Sequence, residues 1–282
     1  MRFAKGHGTG NDFIIVPDLD DQLEFGAELV RRLCDRRTGL GGDGVLRVVR
    51  TAADGGHAAA APWFMDYRNA DGGAAEMCGN GIRVFARYLI DRGLAAGPEI
   101  AIGTRSGVRL VRRLADGTFC VDMGPATVRG TGAAVVAGRR CDGLVVWVGN
   151  PHLVCLVSEP VTDFSLSEPP QIDLAQFPDG ANVELVEMVG DHALQMRVHE
   201  RGSAETLSCG TGAVAAAVAA AHSTGEWPGR PAQWAVAVPG GRLTVTPGPA
   251  TTQLTGPAVI VAEGIVDDAW LSGIVHSASA RA

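Results

Sequence analysis

Cys-Gly-x-Gly occurs twice in this chain, each time ahead of an apolar run that glycine closes: "MCGNGIRVFARYLIDRG" at 77–93 and "SCGTGAVAAAVAAAHSTG" at 208–225. A second pair of segments keeps step with them. "TGNDFIIV" at 9–16 and "VGNPHLVCLV" at 148–157 each lead from Gly-Asn into an apolar strand. Asn11 precedes Cys78 by 67 residues and Asn150 precedes Cys209 by 59, a difference within ordinary loop variation. Two motifs recurring in one order at similar spacing read as an internal duplication. The chain is therefore expected to fold as two lobes of one plan with pseudo-twofold symmetry.

The rest of the first half supplies the other elements of that plan. A strand, a Gly-rich turn and a second strand over Phe13–Val16 open the chain, and residues 27–37 carry helical periodicity. "GLGGDG" at 39–44 matches G-x-G-x-x-G, but a dinucleotide fingerprint needs a strand before it and a helix after it. Here the helix comes first and the strand "VLRVVR" follows, so the glycines read as a helix-stop turn. From Ile82 a largely buried helix is expected, with Arg83, Arg87 and Asp91 as its polar stripe. Short alternating strands fill 100–123, "GPATVRGTG" reads as a linker, and the boundary falls near 124. "PAVIVAEGIV" at 257–266 is expected to complete the second lobe, and the remainder of the chain, ending in "SASARA", to fray.

Composition narrows the chemistry. The apolar fraction of 46% supports a substantial core, and no apolar run approaches the roughly 20 residues of a bilayer span. No signal peptide opens the chain, and six irregularly spaced cysteines form no CxxC pair, so reduced thiols in the cytoplasm are expected. A net charge of −7 without a basic run points away from nucleic acid and toward small polar partners. Lys5 is the only lysine beside 23 arginines, and no phosphate loop lies near it, which argues against a pyridoxal phosphate Schiff base. No Cys or His lies two to four residues from Cys78 or Cys209, so a zinc site fails on spacing.

A helix start exposes unpaired N–H groups and about half a positive charge, and so favours anions. At Cys78 and Cys209 that environment is expected to push the thiol toward thiolate, while the glycines leave room for a substrate carboxylate. If two such lobes close over a cleft, Cys78 and Cys209 face one carbon from opposite sides. One thiolate can then remove a proton and the opposite thiol return one, which inverts a stereocentre. Cys34, Cys120, Cys141 and Cys155 read as small buried hydrophobes.

"GTGNDF", "GLGGDG", "NADG", "EMCGNGIR", "GNPH", "NVE", "ERG" and "SCGTG" occur here in the order of the diaminopimelate epimerases, and the chain closely resembles that family along its whole length. The resemblance implies an α+β fold of two pseudo-symmetric lobes, each a mostly antiparallel sheet or barrel wrapped around a central helix, with the active site in the cleft between them. It places the first lobe at 1–123, with 265–282 packing back on it, and the second at 124–264. It implies a homodimer that needs no cofactor and interconverts LL- and meso-diaminopimelate on the route to lysine and peptidoglycan. Cys78 and Cys209 would be the acid/base pair, and Gly79, Asn80, Gly210 and Thr211 would offer N–H groups to the reacting carboxylate. Asn11 would line the site. Asn69, Asn150, Asn182 and Arg201 would hold the distal end, Glu200 an ammonium group, and His152 and Glu200 would tune the thiols.

Gly44 and Gly73 stand where relatives often carry polar residues, which bears on fine contacts and leaves the thiol pair untouched. Proline and hydroxyproline racemases share the two-thiol logic but differ after the first Cys-Gly, where this chain has Asn80. Phenazine-type isomerases share the fold and lack the thiol pair. A reading of another class is a thiol switch in which Cys78 and Cys209 oxidise reversibly.

Overall fold

A computed structural model describes residues 1–51, 60–229 and 231–279. The last residues of the expected frayed end, 280–282, lie outside the described residues. Two compact units divide the chain: residues 1–8, 12–119 and 258 onward form one, and residues 9–11 and 120–257 form the other.

Each unit repeats one sequence of strand pairings. In the first, Asn11–Pro17 runs parallel to Gly44–Arg50, which is antiparallel to Trp63–Asn69. Trp63–Asn69 is parallel to Glu99–Thr104, and that strand is antiparallel to Gly107–Arg113. In the second, Pro151–Val157 runs parallel to Asn182–Gly190, which is antiparallel to Ala193–Glu200. Ala193–Glu200 is parallel to Trp234–Val238, and that strand is antiparallel to Gly241–Pro247. The duplication read from motifs is thus a duplication of topology.

A parallel step needs a crossover connection, and the second parallel step of each unit makes it with a helix. The first unit's initial crossover is α1 (Ala27–Cys34), and its second is α2 (Gly79–Asp91). The second unit makes its initial crossover through a 3-10 turn, Val161–Asp163, and a short strand, Gln171–Ile172, and its second through α3 (Gly210–Ser223). α2 and α3 are each wrapped by the strands of their own unit. In α2 the side chains of Ile82, Val84, Phe85 and Leu89 are fully buried, each contributing roughly 1.5–3 kcal/mol. In α3 the run Ala213–Ala221 is buried on every side, and its alanines and valines let the surrounding strands close in. No helix among the described residues is long and apolar enough to cross a membrane.

Four local expectations are corrected. Helix α1 stops at Cys34 rather than residue 37, because Asp35 takes an extended conformation and its Oδ1 accepts from the N–H groups of Arg37 and Thr38 at 2.8 and 2.6 Å. The carbonyls α1 leaves are taken up by the "GLGGDG" turn: Leu40 and Gly41 both donate to Leu33 O, and Gly42 donates to Cys34 O. "GPATVRGTG" is no linker, since Thr127–Val136 is a strand paired with Arg139–Trp147, and the units divide at Phe119 and Cys120. Arg83 does not join Arg87 and Asp91 on a polar stripe; the latter two form a surface ion pair at 2.6 Å while Arg83 is fully buried.

The fourth correction concerns the chain's end. Val259–Ile265 does not complete the second lobe but crosses back to pair antiparallel with Arg2–Gly8 in the first unit. The remainder does not fray up to Ser279: helix α4 (Asp268–Ser279) continues from the strand, and Trp270 and Leu271 pack partly buried beside Val30, Leu33 and Cys34 of α1. Trp270 Nε1 donates to Thr38 O at 3.2 Å.

Candidate active site

Cysteine is the N-cap of both wrapped helices. Cys78 is extended, at φ −138° and ψ 120°, and its Sγ accepts from Gly81 N–H at 3.3 Å; Cys209, at φ −117° and ψ 120°, accepts from Gly212 N–H at the same 3.3 Å. The cap carbonyls repeat the match, Cys78 O taking Ile82 N–H and Cys209 O taking Ala213 N–H, each at 2.9 Å. Sulfur therefore does the work that a serine or aspartate oxygen does at an ordinary N-cap. Gly79 and Asn80, and Gly210 and Thr211, are the first helical residues, whose N–H groups no carbonyl within the helix can reach.

The two helix starts differ in charge. At the first, Arg83 is buried with Nη1 donating to Gly79 O and Nη2 donating to Asn80 Oδ1, both at 3.0 Å. Gly8 leaves room for this guanidinium, since a Cβ there would sit 3.1 Å from Nη2. Burial lowers Arg83 to about 10, with the Cys78 sulfur working against that shift.

At the second start the neighbours are acidic. Cys209 is buried, its Sγ lies 3.5 Å from Thr211 Oγ1, and the Glu200 carboxylate, which accepts from Thr206 Oγ1, acts on the thiol electrostatically. Burial, then Glu200 and Glu184, push the Cys209 thiol well above its ordinary value, against the smaller pull of the Thr211 and Gly212 hydrogen bonds. The expectation that a helix start makes this cysteine a ready thiolate is corrected: desolvation and two carboxylates outweigh the helix end. Burial also holds the Glu200 carboxyl above its usual range.

His152, second residue of Pro151–Val157, is fully buried between two partners. Its Nδ1 lies 2.7 Å from Glu184 Oε1 and its Nε2 lies 2.9 Å from Asn150 Oδ1. The parallel pairing of His152 with Asn182 brings these side chains together. Asn182 Oδ1 accepts from the Arg201 N–H at 2.9 Å, and the exposed Arg201 donates from Nη1 to Asp179 O at 3.1 Å. Asn69 ends its strand in a turn, its N–H on Gly73 O and its carbonyl taking Gly72 N–H, both at 2.9 Å. Asn11 opens its strand, partly buried. The second unit thus gathers Asn150, His152, Asn182, Glu200, Arg201 and Cys209 on neighbouring strand ends and one helix start, while Cys78, Gly79, Asn80 and Asn69 belong to the first.

Residues 3–129 and 144–261 match the model of a family described as diaminopimelate epimerase. The chain belongs to the diaminopimelate epimerase family. It is 55% identical to the diaminopimelate epimerase of Thermobifida fusca over 273 residues, covering 94% of this chain and 98% of the relative. The Streptomyces coelicolor enzyme is 50% identical, covering 98% of each chain, and that of Mycolicibacterium smegmatis 48%, covering 96% and 98%. Among solved structures, a phenazine biosynthesis protein of the PhzF family from Bacillus anthracis superposes with a TM-score of 0.73 at 17% identity, over 95% of this chain and 99% of that one. A hydroxyproline epimerase from Agrobacterium vitis gives 0.66 at 17% identity, over 96% of each. At such identities these two likenesses establish the fold, the α+β architecture with a helix wrapped by strands in each unit.

Two residues of the diaminopimelate epimerase motifs escaped the reading of the sequence as site residues. Arg83 closes "EMCGNGIR", where its spacing from Arg87 imitates a surface stripe. Glu184 closes "NVE", and only the register of its strand against His152 gives it a role. At Gly44 a Cβ would meet the backbone oxygen of Arg68 at 2.5 Å, which requires glycine; nothing in the structure explains Gly73. Cys34, Cys141 and Cys155 sit in apolar clusters, and burial pushes Cys34 up to about 11 and Cys155 up to about 12.

Proposed function

We propose that this chain converts LL-diaminopimelate to meso-diaminopimelate without pyridoxal phosphate, with Cys78 and Cys209 as its two acid/base groups. The observation that carries the reading is the duplicated sulfur cap, two thiols on glycine-flanked helix starts in equivalent places of a repeated topology. One cysteine thiolate takes the alpha proton and becomes a thiol. The other thiol gives its proton to the opposite face and becomes a thiolate. One stereocentre is inverted, no electrons change hands, and the pair is left with its protons exchanged. Negative charge developing on the alpha carboxylate falls to the N–H groups of Gly79, Asn80, Gly210 and Thr211. Cys209, kept protonated by burial and by Glu200 and Glu184, suits the acid role in the resting protein.

Asn11 lines the reacting end. Asn69, Asn150, Asn182 and Arg201 hold the distal amino-acid end, where a guanidinium fork suits a carboxylate. Glu200 takes an ammonium group and, with His152, tunes Cys209. The identity to named diaminopimelate epimerases supports the substrate and a place in lysine and peptidoglycan-precursor synthesis. A cytoplasmic homodimer acting on a small molecule, with no nucleic-acid or membrane partner, fits that role.

The test is solvent deuterium exchange at the alpha carbon of LL-diaminopimelate, with formation of the meso form and no added cofactor. Normal turnover by a Cys78→Ala, Cys209→Ala double variant would sink the mechanism. Turnover of proline in place of diaminopimelate would move the substrate.

A further inference from the structure

Glu184 is fully buried, yet only one of its carboxylate oxygens is used: Oε1 meets His152 Nδ1 at 2.7 Å, and Oε2 has no hydrogen-bond partner among the described residues. A buried carboxylate so poorly satisfied is costly unless a cation lies against it. His152, also fully buried, has an oxygen against each ring nitrogen, Glu184 Oε1 at Nδ1 and Asn150 Oδ1 at Nε2, 2.9 Å away. A neutral imidazole donates from one nitrogen only, whereas an imidazolium donates from both. The two observations meet in one assignment.

We propose that Glu184 is a positioning residue that holds His152 with a proton on each ring nitrogen, so that Nε2–H occupies Asn150 Oδ1 and the Asn150 amide NH2 is the group left to bind a substrate carboxylate. Were the ring neutral and protonated at Nδ1, Asn150 would have to turn its NH2 to Nε2 and offer an oxygen, which suits an ammonium group instead. Glu184 thus selects the chemical class that Asn150 accepts. The effect on substrate rests on the reading of Asn150 as a substrate contact.

Gly212 is part of the same packing. A Cβ there would lie 2.7 Å from Glu184 Oε1 and 3.3 Å from Cys209 Sγ, so the carboxylate and the thiol share one glycine-sized space. Glu200, Cys209 and Cys155 are the titratable groups that face the pair. The first three turns of α3 bring no charged residue.

The experiment is nitrogen NMR of the full chain labelled with 15N-histidine, with His152 assigned through a His152→Gln variant. Both His152 nitrogens should fall in the protonated range at neutral pH, and in Glu184→Gln one should move to the unprotonated range. For substrate, Glu184→Gln should raise KM about tenfold or more, the loss expected of a charge-assisted hydrogen bond, with a smaller fall in kcat. A wild-type ring with an unprotonated nitrogen would be a neutral imidazole and would overturn the assignment. An unchanged KM in Glu184→Gln would remove the link to Asn150. The spectrum needs no substrate, so a protein that failed to epimerise diaminopimelate would still decide the state of the ring.

Discussion

Arg83 Nη2 donates to Asn80 Oδ1 at 3.0 Å, and neither side chain reaches solvent. With Nη1 on Gly79 O, one guanidinium fork ties together the two residues that open α2. Replacing Arg83 by Met leaves two buried acceptors without this donor, at an expected cost of roughly 2–4 kcal/mol. Arg83→Lys keeps the charge but gives up the fork, and should fall between. Urea denaturation of the two variants measures this; a loss below about 0.5 kcal/mol in Arg83→Met would mean that the fork holds nothing that water cannot replace.

Gly81 and Gly212 donate to their sulfur caps with the same geometry but differ in what lies behind them. A Cβ at Gly81 would meet Leu46 Cδ2 at 3.2 Å and Phe13 Cζ at 3.4 Å, whereas at Gly212 it would meet Glu184 Oε1 at 2.7 Å. Apolar side chains can give by a few tenths of an ångström; a fully buried carboxylate fixed by His152 cannot. Gly212→Ala should therefore lose more activity and more thermal stability than Gly81→Ala. Equal effects in steady-state kinetics and melting curves would count against a rigid Glu184.

The helix starts and the repeat were legible in the sequence because their determinants are local. Glycine flanks, a cysteine at the cap and an apolar run are read within twenty residues, and the second copy confirms the first. What escaped depends on contacts far apart along the chain. Val259–Ile265 has the apolar pattern of any strand, and its pairing with Arg2–Gly8 spans almost the whole sequence. Arg83 has the spacing of a surface residue, but its guanidinium folds back onto Gly79 O and Asn80 Oδ1 at the start of α2 and is fully buried. Thr127–Val136 looks like a linker because much of that strand is exposed and needs few apolar residues. Glu184 alternates with Val183 and Leu185 as an outward-facing residue would, and its place is buried because α3 covers that face.

Cys209 should alkylate slowly with iodoacetamide at neutral pH and faster as the solution becomes alkaline, since burial and then Glu200 and Glu184 hold its thiol well above the ordinary value. Glu200→Gln removes one of the two negative neighbours, lowers the thiol toward its normal range, and should raise labelling at a fixed pH. Mass spectrometry of the modified peptide measures both. Faster labelling of the wild-type Cys209 than of the variant would reverse the assigned electrostatics.

Lys5, the only lysine of the chain, should show its worth in acid. Its Nζ lies 2.6 Å from Asp12 Oδ2, and Arg36 Nη2 lies 2.7 Å from Asp12 Oδ1. Burial alone would raise the Asp12 carboxyl, but the hydrogen bonds and charges of Arg36 and Lys5 win and bring it from 3.8 to about 2. A carboxylate depressed in the folded state stabilises the protein above its unfolded value, and that contribution is lost as pH falls through the folded one. The wild type should thus be more stable than Lys5→Met above about pH 4, with the difference shrinking toward about pH 2 as Asp12 is protonated in both. Urea melts at stepped pH follow the difference directly. A gap that stays constant across this window would show that Lys5 stabilises through packing rather than through the Asp12 charge.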